Sequence, residues 1–271
     1  MTRPELASSE TLQKINEYKA SYSTSKKSSS STTDQTSNYL DNILNSTSPI
    51  TSEILFKVVN RCKENEQYKL KLILEKAFKQ GINIDIQEEL CGYTLLHTSI
   101  TENLDEVATF LLEEGANPNI QDYYLSDTPL HYVVKTGVYT KYKIEIVELL
   151  IKFTNLELKN IGGLTTIQDA VISDNKEVTK LLIQYGANID VKLVNKESMY
   201  NEKNLIELAE SRCEPILRAL LTLTKACKDN DFSIVDNTIS SPDVTPSFIN
   251  EAEHQEYNLA GETDKFAPET A

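Results

Sequence analysis

A chain of 271 residues has room for one large domain or two small ones. Its formal net charge of −14, from 41 acidic against 27 basic residues, leaves no cationic footprint for nucleic acid or an anionic membrane surface. The four cysteines, Cys62, Cys91, Cys213 and Cys227, stand far apart, with no CxxC pair and no histidine cluster beside them. A zinc site and a disulfide scaffold are therefore unsupported, and reduced thiols in a cytoplasmic compartment are expected.

The N-terminus lacks the apolar core of a Sec-type signal peptide, and no apolar run approaches the roughly 18 residues of a membrane helix, so no membrane insertion is expected. Residues 1–50 form a Ser/Thr-rich arm: in Ser21–Ser37, 12 of 17 residues are Ser or Thr. Such a stretch buries too little apolar surface to offset chain entropy, and the arm is expected to be disordered. From Thr51 the pattern turns helical. Two apolar-periodic runs, Ile54–Val59 and Leu70–Phe78, flank a charged gap, and the second ends at Gly81, a natural helix C-cap. Residues 51–86 are read as a capping helix pair.

Three phrases then recur: "GYTLLHTSI" at Gly92, "SDTPLHYVV" at Ser126 and "GLTTIQDAV" at Gly163. Their threonines, Thr94, Thr128 and Thr165, are spaced by 34 and then 37 residues. Each phrase leads to a second helical one, "DEVATFLLEEGANPN", "IEIVELLIKFTNLEL" and "KEVTKLLIQYGANID". Thr94 to Gly115 and Thr165 to Gly186 are both 21 residues, whereas Thr128 to the equivalent Phe153 is 25. The middle copy thus carries an insertion at Val138–Lys143, which includes Tyr139 and Tyr142. Serine, aspartate and histidine within "SDTPLHYVV" are residue types of a catalytic triad. They recur in phase as Gly92, Tyr93, His97 and as Gly163, Leu164, Gln168, as a structural turn does and a triad does not.

A period near 33 residues bearing TPLH and then LLxxGANxN resembles the ankyrin repeat, over Ile82 to about Val191, in three phased copies. The resemblance implies an all-α solenoid of stacked helix-turn-helix units with loop or β-hairpin fingers. Its repeats fall at 91–120, 125–158 and 162–191, degenerate capping helices at 204–240, and an acidic disordered tail at 241–271. From Lys228 onward there are ten acids and two lysines. The low-glycine, Lys/Asn/Ile-leaning style is similar to ankyrin proteins of AT-rich intracellular bacteria and some large viruses.

Within each copy the threonine hydroxyl can satisfy free N–H groups at the start of the inner helix. Pro129 suits the first helical turn. Gly115 and Gly186 sit where positive φ is needed. By the resemblance, His97 and His131 tie their own turn to a neighbouring repeat. Departures from the pattern are Leu95 and Thr166 for proline, Ser126 for glycine, and Phe153–Thr154 for Gly-Ala, so the middle copy is expected to be irregular.

Ankyrin arrays bind proteins, so the resemblance implies a non-enzymatic scaffold that holds a protein partner against its concave face and fingers. Mapped by phase, the fingers are Gln87–Cys91, Gln121–Ser126 and Asn160–Gly162. Inner-helix contact positions include Thr98, Thr101 and Glu102, then Tyr132 and Lys135, then Asp169 and Ser173. Tyr123, Tyr124 and Leu125 on the middle fingertip, with Tyr132, are the expected anchors, since exposed aromatics are enriched at hot spots. The alternative is that these tyrosines pack on the adjacent finger. No catalytic, cofactor-binding or metal residue is expected: G-x-S-x-G, a Gly-rich phosphate loop and HExxH are all missing. A monomer is expected. Two further readings stay open: a regulatory or inhibitory subunit of an enzyme, and a secreted effector acting on host proteins.

Overall fold

The computed structural model describes residues 33–136, 141–194, 201–211 and 215–229. The Ser/Thr-rich segment before Thr33, the tail after Asp229, and Tyr139 in the insertion lie outside the described residues, as does the side chain of Tyr142. Among the described residues the elements are eleven α-helices and one 3₁₀ turn, with a single isolated bridge, Gln87 to Thr94, in place of any β-hairpin strand.

The helices are α1 (Thr33–Asn45), α2 (Ser52–Arg61), α3 (Gln67–Lys79), α4 (Leu95–Thr101), α5 (Asp105–Glu113), α6 (Pro129–Thr136), α7 (Lys141–Phe153), α8 (Thr166–Ile172), α9 (Lys176–Gln184), α10 (Leu205–Ser211) and α11 (Pro215–Asp229). They divide into two compact units, with the changeover after Val133 inside α6. Residues 141–155 and 159–161 belong to the first unit, and 156–158 and everything from Gly162 to the second.

In the first unit α2 and α4 form one row, and α3, α5 and α7 form the other. The apolar runs read from sequence make this core: Leu55, Val58 and Val59 of α2 and Leu70, Ile73 and Leu74 of α3 are buried, as are Leu95, Leu96, Leu111 and Leu150. The charged gap breaks the chain between α2 and α3, where Cys62 and Lys63 are extended and Glu64–Glu66 forms the 3₁₀ turn. Glycine 81 has φ +90 and ends α3 as expected.

The N-terminal arm is shorter than the sequence reading placed it. Within residues 1–50, α1 packs on α3 and Leu40 is completely buried. Lys69 pairs with Asp41 at 2.7 Å, and Arg61 lies over the Tyr39 ring at 5.5 Å. The Lys76 ammonium donates to the carbonyls of Ile43, Leu44 and Ser46 at 3.2, 3.1 and 2.5 Å, satisfying the orphan carbonyls at the end of α1. A few apolar positions, Tyr39, Leu40, Ile43 and Leu44, suffice to hold this helix against the array although Ser and Thr dominate the segment around them.

Two polar ladders join the copies of the first unit. The Asp85 carboxylate accepts the Asn117 N–H at 2.8 Å, and the Asn119 side-chain carbonyl accepts the Asn155 N–H at 2.6 Å. Gln67 of α3 reaches across to the N-terminus of α5, accepting the Glu106 and Val107 N–H groups, where Leu104 has no capping side chain of its own. In the second unit α8 packs on α9 and α10, and α10 on α11. Asp190, in the ladder position of Asp85, meets Lys225 and Lys228 of α11, and these two ammonium groups hold its carboxyl below the usual range. Lys225–Asp229 thus completes α11, and residues 230–240 of the expected capping region lie outside the described residues.

The middle copy is irregular as expected. Ser126 takes the left-handed conformation at φ +51 that Gly92 and Gly163 hold at φ +74 in the other copies. Phe153 replaces the glycine by a different ending: α7 continues to Phe153, and the Thr154 N–H still bonds the Leu150 carbonyl at 2.9 Å. The equivalent Gly115 and Gly186 have φ of +90 and +83.

Candidate functional site

The first finger is a tight hairpin. The Glu88 N–H donates to the Tyr93 carbonyl at 2.8 Å and the Gly92 N–H to the Glu88 carbonyl at 2.9 Å, which leaves Glu89 and Leu90 at the tip. Leu90 is 65% exposed. Beneath it the buried Cys91 thiol donates to a Glu88 carboxylate oxygen at 2.6 Å, and burial above all pushes that thiol up to about 12, so it stays protonated.

The second finger is shaped by Asp122, a residue sequence reasoning did not single out. One carboxylate oxygen accepts the N–H groups of Tyr124 and Leu125 at 2.7 and 2.8 Å, and the other accepts the Asp127 N–H at 2.8 Å. Asp122 is buried, and burial raises its pKa against the lowering effect of those three N–H donors. The finger is pinned to its neighbours on both sides: the Tyr123 N–H donates to the Cys91 carbonyl at 2.9 Å, and the Ile161 N–H to the Leu125 carbonyl at 2.7 Å. Two glutamines repeat a bridge. Gln87 donates its side-chain amide to the Gly92 and Gln121 carbonyls, and Gln121 donates to those of Ser126 and Lys159.

On this frame Tyr123 is 58% exposed, with its ring lying against Gly92; Tyr124 and Leu125 are half-buried. Tyr132 is half-buried and turned inward. Its hydroxyl donates to Asp122 at 3.4 Å and shares a 2.6 Å hydrogen bond with the Tyr93 hydroxyl. Its ring sits edge-on to Tyr93 and to His97, at centroid distances of 5.3 and 5.8 Å. Burial pushes Tyr93 up to about 12 and Tyr132 upward as well, so both phenols keep their protons. Tyr132 thereby supports the fingers from beneath.

The other inner-helix positions divide by exposure. Thr98 is buried and donates to the Thr94 carbonyl; Thr101 and Glu102 are half-buried at the end of α4. In the second unit Lys135 pairs at 3.5 Å with the buried Asp169, and Ser173 is exposed. The structure therefore brings Tyr123, Tyr124, Leu125 and Tyr132 together around Asp122, and leaves Thr98 and Asp169 with little surface.

The repeat-defining residues are occupied in building turns. His97 is fully buried; its Nδ1 bonds the Thr94 hydroxyl at 2.9 Å and accepts the Thr94 N–H, while its Nε2 meets the Asp127 carbonyl at 3.2 Å. That carbonyl can only accept, so Nε2 carries the proton. His131 makes the same bond to the Thr128 hydroxyl at 2.8 Å, just after Pro129 opens α6, and in the third copy the Gln168 carbonyl oxygen accepts the Thr165 N–H at 3.0 Å. Ser126 forms the left-handed turn and Asp127 accepts the Asn160 side-chain amide at 3.1 Å, so serine, aspartate and histidine serve three separate structural purposes.

Leu90, Tyr93 and Asp122 are the residues that sequence reasoning passed over. Leu90 lies inside the finger range and carries no mark of its own. Tyr93 occupies a position held by Asp127 and Leu164 in the other copies, so no in-phase pattern points to it. An aspartate a few residues before a turn is a weak Asx signal.

Among the described residues no helix is long and apolar enough to cross a membrane. Models of the ankyrin repeat match residues 91–123 and, as three copies, residues 123–195. Relatives bear the same description. An ankyrin repeat protein of Rickettsia bellii is 41% identical, over 86% of this chain and 88% of its own length. One of Rickettsia felis is 39% identical over 74% of this chain and 73% of its own, and one of Acanthamoeba polyphaga mimivirus is 32% identical over 48% and 31%.

Proposed function

Because the chain belongs to the ankyrin-repeat family, whose all-α arrays generally mediate protein–protein interaction, we propose that it is a non-enzymatic scaffold that holds a protein partner against its loop fingers and the exposed side of its inner helices. The observation that carries this reading is the exposed Tyr123 on a finger whose backbone is fixed by Asp122 and by both neighbouring fingers. A large aromatic held in place before binding loses little entropy on association, which is what makes such residues hot spots. The acidic surface suits a partner with basic features, through steering more than through affinity.

The test is affinity capture on the immobilised full chain beside its Tyr123→Ala/Tyr124→Ala variant. A partner retained by the first and lost by the second, at nearly equal thermal stability, supports the reading. Equal retention by both, or a variant that fails to fold, removes these tyrosines from the binding role.

The similarity to the Rickettsia chains favours a second reading, an effector that acts on host proteins. A translocation reporter fused to the full chain and to a chain ending at Ile239 tests it. Transfer of the full chain supports it, and no transfer of either leaves a resident protein.

A further inference from the structure

We infer that the tips of the first and second fingers form one docking patch for a partner segment that sets a large apolar side chain beside a lysine or arginine. The inference rests on the proposed binding role of the fingers and adds which part of them binds and what chemistry it selects.

Two large apolar side chains stand out on adjacent turns, Leu90 at 65% and Tyr123 at 58% exposure. Single exposed apolar residues are ordinary on any surface, but these two are joined by backbone. The Tyr123 N–H bonds the carbonyl of Cys91, the residue next to Leu90, and the Tyr123 ring rests on Gly92. Tyr124 and Leu125 continue the same turn half-buried. The patch is also pre-ordered: the Asp122 carboxylate, the Gln87 and Gln121 bridges and the buried Tyr93–Tyr132 pair hold both turns from below. An apolar surface held this rigidly binds without a large ordering penalty.

Charge selects the occupant. The finger turns themselves carry Glu88, Glu89 and Asp122 and no lysine or arginine, with Asp127 and the exposed Lys159 just outside them, and the chain as a whole carries −14. Asp122 and Asp127 are buried, Glu88 is half-buried, and Glu89 is exposed beside Leu90. An acidic partner meets repulsion at this rim, whereas a lysine or arginine beside the apolar anchor is drawn to it.

Random peptides displayed on phage, panned on the full chain, test the proposal. An enriched peptide is then synthesised and its binding measured by fluorescence anisotropy at low and high salt. The expected sequences pair an aromatic or branched aliphatic residue with Lys or Arg. Leu90→Ala and Tyr123→Ala each weaken binding about 30-fold, as a hot-spot truncation does, with folding unchanged by circular dichroism. Glu89→Lys weakens it several-fold and flattens the salt dependence. Enriched peptides that are acidic or lack an apolar anchor, no enrichment at all, or binding indifferent to Leu90→Ala overturn the proposal. Binding lost on Lys135→Ala but untouched by Leu90→Ala overturns this patch while leaving the broader scaffold reading in place. Binding indifferent to every finger and inner-helix substitution overturns both.

Discussion

The Tyr123 ring lies on Gly92 so closely that a side chain at position 92 has no space: a Cβ there would meet Tyr123 Cγ and Cδ1, both at 2.5 Å. Gly92 also has φ +74, where a side chain is strained whatever the space. Gly92→Ala is expected to destabilise the chain by roughly 1–2 kcal/mol for the backbone alone, plus the cost of moving the ring. The two contributions separate in a cycle with Tyr123→Ala. The double variant is expected to lose less than the sum of the singles, because the alanine at 92 no longer has a ring to displace. Thermal unfolding of the four proteins measures this, and strictly additive losses would show that Tyr123 is free of Gly92 in solution.

The middle copy contains a correctable fault. The Thr154 hydroxyl is buried without a hydrogen-bond partner, at the position where Ala116 and Ala187 stand in the other copies. Thr154→Ala is expected to stabilise by about 1 kcal/mol, the penalty of an unsatisfied buried hydroxyl, seen as a rise in Tm of about 2–4 °C. Phe153→Gly restores the family glycine yet is expected to destabilise by about 0.5–1 kcal/mol. Phe153 is outside the left-handed region, so glycine there adds only unfolded-state freedom. A rise in Tm for Phe153→Gly would mean that α7 can end by a left-handed turn after all.

The helix α1 extends the array at its N-terminal end, and Leu40 is its buried anchor. Leu40→Ala is expected to cost about 2–3 kcal/mol, the lower part of the range for a buried leucine, because a terminal helix can partly relax. Lys76→Met removes the three carbonyl contacts that close α1 while keeping the aliphatic stem. It is expected to speed amide exchange in residues 38–45 and leave α5 protected. Unchanged exchange in α1 for both variants would show that α1 does not depend on α3.

What could be read from the sequence follows from how each feature is encoded. Repeat spacing, Thr94 and His97 as turn builders, and the positive φ of Gly81, Gly115 and Gly186 all recur in phase, so three weak copies reinforce one another. The α1 helix was hidden because four apolar positions carry it inside a Ser/Thr-rich composition. At the fingers, Tyr123 and Tyr124 were legible as aromatics on a loop. The inward turn of Tyr132 was not, because it depends on Tyr93, whose place is taken by Asp127 and Leu164 in the other copies, and on Asp122, whose counterparts there are Glu88 and Lys159.

His97 gives a pH signature whose sign can be worked out. Burial lowers its pKa from about 6.5 to about 4, outweighing the Asp127 carbonyl that favours the charged ring. Nδ1 must stay unprotonated to accept from Thr94, so the folded state holds the neutral ring. Between about pH 6.5 and about 4 the unfolded chain binds the proton and the folded chain does not. Stability is therefore level above about 6.5 and falls as pH drops toward about 4, by on the order of 3 kcal/mol from this group. Asp122 shifts in the opposite sense, its raised pKa adding stability as pH falls, so the histidine is isolated by difference. His97→Gln follows the natural Gln168, whose carbonyl oxygen accepts the Thr165 N–H just as Nδ1 accepts that of Thr94. It loses the ring contacts with Tyr93 and Tyr132 and is expected to be less stable than wild type by about 1–2 kcal/mol at pH 7. Glutamine does not titrate, so as pH falls from 6.5 to 4 in urea denaturation the wild-type curve should close on that of the variant and then drop below it. Parallel curves across that window would place the acid sensitivity on another group and would mean that the His97 ring is solvated in the folded chain.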